Sequence, residues 1–236
     1  MVDAVIVHAA DTVRQPMQPC FTSVFCIMQC FTCCLIRESR LLRVVNYPHP
    51  TLRRPSKALI KVDAELRNLV REMFELMYSK EHRGVGLAAN QVDLPYRLFI
   101  VNLSSDPVLK DEEHVFINPI ISQPKGSDEQ EEGCLSLPGL FAPVRRPEKV
   151  RINAYNLAGN EVIYDLDGLF ARVVQHETDH LDGVLFIDRL APTVELSVRD
   201  KLEEFEQDFS SRRQRGEIPD DATIFARLAK LEALRT

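Results

Sequence analysis

His176-Glu177-Thr178-Asp179-His180 constrains this chain more than any other feature: two histidines four residues apart, with a glutamate directly after the first. On a helix turning about 100° per residue, His180 lies roughly 40° round from His176 and Glu177 roughly 100°, so the three share a face. The surrounding residues predict that helix over about Leu169 to Leu181, closed by Asp182-Gly183, where glycine suits a left-handed cap. A divalent metal held by two imidazoles and one further protein ligand keeps a position for water, and the neighbouring carboxylate can take that water's proton. The helix must therefore be placed against a third ligand from elsewhere in the chain.

Few residues qualify. A metzincin would continue as His-x-x-Gly-x-x-His, and here Gly183 fits but Phe186 stands where the last histidine belongs, which excludes that family. Glu195 or Glu203 would complete a metalloprotease site of the thermolysin type, the alternative enzyme reading. Cys134 is the better candidate, because Cys20, Cys26, Cys30, Cys33 and Cys34 all lie in the first forty residues and leave it alone in the body. For the same reason no disulfide framework can hold the body together.

Residues 1–40 differ from the remainder. Their only charges are Asp3, Asp11 and Glu38 against Arg14, Arg37 and Arg40. The apolar stretch from Phe21 to Ile36 is interrupted by Thr22, Ser23, Gln29 and Thr32 and falls short of the roughly 20 residues of a spanning helix. It has neither the basic start of a secretory signal nor the Arg-rich, acid-poor character of a transit peptide. Cys30, Cys33 and Cys34 have a zinc-like spacing but no fourth ligand close by. The expectation is a disordered or spurious extension, with organellar targeting by residues 1–40 as the weaker alternative to a cytoplasmic location.

Beyond residue 41 the hydrophobic periods alternate. Leu66, Leu69, Val70, Met73, Phe74 and Met77 recur at helical spacing after Asp63, a natural N-cap, and predict a helix from about Asp63 to Lys80 whose methionines fill a core. Strand-like runs follow at Arg97 to Leu103, Val115 to Ile121, Lys149 to Asn156 and Glu161 to Leu166; the last two flank Leu157-Ala158-Gly159-Asn160 and read as a hairpin. Asp128 to Glu132 reads as a solvated loop. Past Pro192, Val198, Leu202, Phe205 and Phe209 form one amphipathic stripe, and Ile224, Phe225, Leu228, Leu231 and Leu234 another. The class is α+β. At 236 residues the chain suits one substantial domain with extensions, and a net charge of -6 offers nothing to neutralise a phosphate backbone, so no nucleic-acid binding is expected.

Three blocks, Gly84-Val85-Gly86-Leu87-Ala88-Ala89-Asn90-Gln91, Glu132-Gly133-Cys134-Leu135-Ser136 and Gln175-His176-Glu177-Thr178-Asp179-His180-Leu181-Asp182-Gly183, together resemble the hallmark segments of peptide deformylases, in the family's order. The likeness runs from about Leu41 to Leu190 and includes Tyr47-Pro48-His49-Pro50-Thr51-Leu52-Arg53. It implies antiparallel sheets packed around a central metal-binding helix, with a catalytic domain over 41–192 and a helical C-terminal tail over 193–236. It also implies a hydrolase that removes the formyl group from the initiator methionine of nascent polypeptides, at the ribosome and away from any membrane. Cys134, His176 and His180 would bind one Fe2+, replaceable by Zn2+, Ni2+ or Co2+. Glu177 would be the general base, and the Gln91 amide and the Leu135 backbone N–H would serve the oxyanion. Gly84, Val85, Gly86 and Gly133 would bind substrate, the glycines by letting backbone approach it closely. Val85, Val173, His176, Leu137 and Phe141 are the weaker candidates for the methionine pocket. A non-catalytic relative would have lost a ligand or the base, and none is lost.

Overall fold

A computed structural model describes residues 42–236 of the chain, and the expectations for residues 1–40 lie outside the described residues. Seven strands and four α-helices alternate along it. The first helix, α1 (Ala64–Met77), is capped by Asp63, whose side chain accepts the Leu66 N–H at 2.8 Å, and it buries Leu66, Val70, Met73, Phe74 and Met77. Both methionines are core residues.

The strands β1 (Gly86–Ala88), β2 (Leu98–Val101), β3 (His114–Lys125), β6 (Lys149–Tyr155) and β7 (Glu161–Asp167) form one antiparallel sheet in the order β1-β2-β3-β6-β7. Between β6 and β7 the expected hairpin turns at Gly159, whose φ is +81°. All four residues of β2 are buried because the sheet is covered on both faces here. Leu98 and Ile100 pack with α1, while Phe99 and Val101 face the opposite way and pack with α2 (Gly168–Leu181). Each fully buried side chain of this size contributes about 1.5–3 kcal/mol of transfer free energy. Clamped between sheet and loops, α2 is buried around its circumference from Ala171 to Leu181. It ends as expected, with Gly183 at φ +76° and so close to Arg53 that a Cβ would lie 2.7 Å from its carbonyl oxygen.

The run Asp128 to Glu132 is not a solvated loop. It belongs to β4 (Asp128–Cys134), paired antiparallel with β5 (Leu137–Arg146) as a second, two-stranded sheet. Charges along β4 and prolines and a glycine along β5 hide both strands from a periodicity argument; pairing and the Leu137, Leu140 and Val144 side chains packed against Leu185 and Phe186 create them.

The two C-terminal helices are α3 (Pro192–Gln214) and α4 (Asp221–Arg235). On α3 the expected stripe holds, with Val198 buried and Leu202 and Phe205 packed against the core. On α4 it is narrower than expected. Ile224 and Leu228 are buried, but Leu234 is 57% exposed and Phe225 lies under the Arg54 guanidinium at the surface. Polar anchors replace them: buried Glu232 accepts from Arg54, and buried Arg235 donates to Tyr96 Oη at 2.9 Å and to Asp63. Among the described residues no helix is long and apolar enough to cross a membrane.

Candidate metal centre

The three predicted ligands converge. Cys134 closes β4 where its register with β5 shifts, and the Cys134, His176 and His180 donor atoms all lie within 4.8 Å of one another. Cys134 Sγ is 3.2 Å from His180 Nε2 and receives the Ser136 backbone N–H and the Gln91 Nε2 amide, each at 3.4 Å. A sulfur that collects donors in this way suits a thiolate ligand.

Each imidazole is prepared for ligation differently. His176 Nδ1 is 2.9 Å from Glu132 Oε2, which leaves Nε2 for the centre; such a carboxylate partner fixes ring orientation and tautomer. Burial disfavours charge on His176, but Cys134 and Glu132 outweigh it and raise its pKa to about 10. Burial instead holds His180 well below the ordinary histidine range, as the neutral ring a metal requires. One sulfur and two imidazoles, the first of them oriented by a carboxylate, fit a divalent transition metal.

Glu132 was the residue that sequence reasoning missed, because it sits inside the supposed loop. Burial opposes its charge, yet His176 and Arg146 hold its carboxyl well below the usual range; Arg146 donates through Nε at 2.6 Å and Nη2 at 2.9 Å, and Arg172 through Nη1 at 2.7 Å. Arg146 continues to Asp179 at 2.7 Å, and Asp179 also accepts from Arg189. The available signal was its position two residues before Cys134 in an extended run, where side chains return to the same face.

Glu177 faces a cleft of about 430 Å³ beside the ligands. Its carboxyl is buried, Oε2 has no hydrogen-bond partner, and desolvation pushes its pKa up to about 7 against the pull of His176 and Arg146. Gly84, Val85, Gly86, Gln91, Gly133, Cys134, Leu135, His176 and Glu177 all line this cleft, while His180 lies against Cys134. Val173, Leu137 and Phe141 line it too, with Phe141 exposed at its mouth. Glu195 and Glu203, the alternative ligands, lie exposed on α3 and join no metal-binding group.

Known proteins place this arrangement. The family model for polypeptide deformylase matches residues 41–195, two thirds of the chain. The chain belongs to the polypeptide deformylase family. It is 47% identical over 195 residues to a peptide deformylase of Rhodopirellula baltica, covering 83% of this chain and 96% of that one. A peptide deformylase of Neisseria gonorrhoeae is 43% identical over 162 residues, covering 69% and 94%. Among solved structures, a plant peptide deformylase superposes with a TM-score of 0.71 at 38% identity over 78% of this chain and 98% of its own. The Plasmodium falciparum peptide deformylase gives 0.69 at 38% over 72% and 98%. The alternation of antiparallel sheets around the ligand-bearing helix is the α+β fold these deformylases share.

The glycines of this deformylase site make room for protein rather than solely for substrate. A Cβ on Gly86 would lie 2.5 Å from Glu177 Oε1 and 3.0 Å from its Cγ, one on Gly84 would meet the Leu135 side chain at 2.9 Å, and one on Gly133 the Phe141 ring at 2.5 Å. Gly86→Ala should therefore displace the Glu177 carboxylate from its place beside the ligands. Turnover should fall by roughly tenfold to a hundredfold with bound metal retained, since about 1 Å of misplacement costs that much. Steady-state kinetics beside metal analysis checks this, and parent-like turnover would show that Glu177 tolerates the shift.

Proposed function

We propose that this chain hydrolyses the formyl group from the initiator methionine of newly made polypeptides, releasing formate and a free amine. The observation that carries the reading is the convergent Cys134, His176 and His180 donor set with Glu177 beside it in the cleft of a family member, its buried Oε2 without a hydrogen-bond partner. Cys134, His176 and His180 would hold a divalent ion, which would supply Lewis acidity and acidify water there. Glu177 takes the proton of the attacking water as oxygen adds to the formyl carbon. The C–N bond then breaks, and the same carboxyl returns the proton to the departing nitrogen. Gln91 Nε2 and the Leu135 backbone N–H donate to the developing oxyanion, neutral donors that leave the charge balance of the ligands undisturbed. Val85, Gly84, Gly86 and Gly133 form the walls against which the methionyl residue lies, with Val173 and Leu137 behind it.

Iron(II) is the proposed native metal, following the family resemblance; a donor set of one thiolate and two imidazoles also accepts zinc, nickel or cobalt. Residues 41–192 form the catalytic domain of this reading and 193–236 its helical tail. The substrate is the nascent chain at the ribosome in the cytoplasm. A formyl-methionyl peptide assayed against its acetylated and unblocked analogues tests the activity. Rapid release of formate from the first alone is expected, while cleavage of internal peptide bonds would favour the metalloprotease alternative. Metal analysis of anaerobically purified protein tests the ion.

A further inference from the structure

The side chain of Gln91 projects from a 3-10 turn (Ala89–Val92) that ties three parts of the molecule together. Its own carbonyl accepts the Val45 N–H at 2.8 Å, and Asn90 donates to the His180 carbonyl on α2. The turn is closed by Asp93, a non-glycine residue in the left-handed region at φ +62°, whose N–H bonds back to the Ala89 and Asn90 carbonyls. Aspartate tolerates that conformation better than most L-residues, and its surroundings fix it in place. Both carboxylate oxygens take part. Oδ1 accepts from Thr51 Oγ1 at 2.6 Å, while Oδ2 accepts from Arg227 on α4, whose Nη1 also reaches the Asp93 carbonyl oxygen at 3.4 Å.

We propose that Arg227 is a positioning residue for the deformylation reaction: from the C-terminal helix it grips Asp93, holds the turn closed and so aims the Gln91 amide at the reacting carbonyl. The inference rests on the reading of Gln91 as an oxyanion donor. The link is short. Within the turn, Gln91 Oε1 accepts the Ala88 N–H at 2.8 Å, and that bond leaves Nε2 directed at Cys134 Sγ and Ser136 Oγ, at 3.4 and 3.3 Å, so a change in the turn's closure re-aims the donor. Arg227 is also separable from the docking of α4, which is held independently by Ile224 and Leu228 in the core and by Glu232 and Arg235. The last helix of the chain is thus coupled to the chemistry and not only to stability.

Arg227→Met in the full-length, metal-loaded protein should lower kcat by roughly five- to fiftyfold, with KM and metal content unchanged, a fraction of the 10²- to 10³-fold that losing an oxyanion donor outright costs. Arg227→Lys should restore most of the loss. The decisive measurement is the double variant with Gln91→Ala. If Arg227 acts through Gln91, adding Arg227→Met to Gln91→Ala produces no further loss, whereas independent effects multiply. Unchanged kcat in Arg227→Met, or a multiplicative loss in the pair, overturns the inference while leaving the oxyanion reading intact. Parent-like kcat in Gln91→Ala alone overturns the oxyanion reading and this inference with it. Should Arg227→Met fail to fold, Thr51→Val removes the other bond to the Asp93 carboxylate with α4 untouched, and the same pairing with Gln91→Ala gives the same two outcomes.

Discussion

Glu177→Gln should leave bound metal, fold and KM close to those of the parent and lower turnover by about 10²- to 10⁴-fold, the contribution of a positioned general base, or more where its later role as acid is lost as well. The substitution keeps size and hydrogen-bonding capacity and removes only the ability to accept a proton. What makes the loss large is the setting. The carboxyl is buried, Oε2 has no partner, and desolvation pushes its pKa up, the setting of a group that takes a proton and gives it back. A carboxylate oxygen left without a partner in so dry a place costs stability, and that cost makes sense where the group acts on something that enters the cleft. The competing role is orientation of a ligand, as Glu132 orients His176. In that case the variant would lose metal and activity in parallel, and added metal would restore both. Measuring both quantities on one preparation separates these roles, and a metal-replete variant with near-parent turnover would refute the mechanism.

The parts of this molecule that were legible in its sequence are those where chemistry and periodicity coincide. The α2 helix could be placed because its two histidines and glutamate make sense on no other element, and α1 because a capping aspartate precedes an unbroken apolar stripe. The β4–β5 hairpin was illegible for a physical reason. Its strands carry charges and prolines, and a two-stranded sheet at the edge of the core is stabilised by pairing and by contacts from distant Leu185 and Phe186, which leave no local pattern. The ionic network around Glu132 went unread with it, since Arg146, Arg172 and Asp179 are ordinary surface residues until the fold excludes water from them. On α4 the error ran the other way. Phe225 and Leu234 complete a plausible stripe, but the helix docks through Glu232 and Arg235, whose partners Arg54, Tyr96 and Asp63 lie far away in the chain.

Cys134→Ala should abolish deformylation through the metal and not through the fold. A thiolate supplies a full negative charge and one of only three protein ligands, so its removal leaves two neutral imidazoles facing a dication in a dry site. Loss of an outer partner of a ligand lowers metal affinity by roughly 10- to 100-fold, and loss of the ligand itself should exceed that. The shell around it should survive: Glu132 remains paired with Arg146 and Arg172, His176 keeps its Nδ1 partner, and alanine leaves only a small void beside Leu137. The expected result is a soluble, folded variant that emerges from desalting without stoichiometric metal and without turnover, and that excess metal rescues poorly. A metal-replete variant with parent-like turnover would require a replacement ligand. Glu195, the sequence's alternative, would have to leave its exposed place on α3 to provide one, so this outcome would overturn the centre described above together with the reaction built on it.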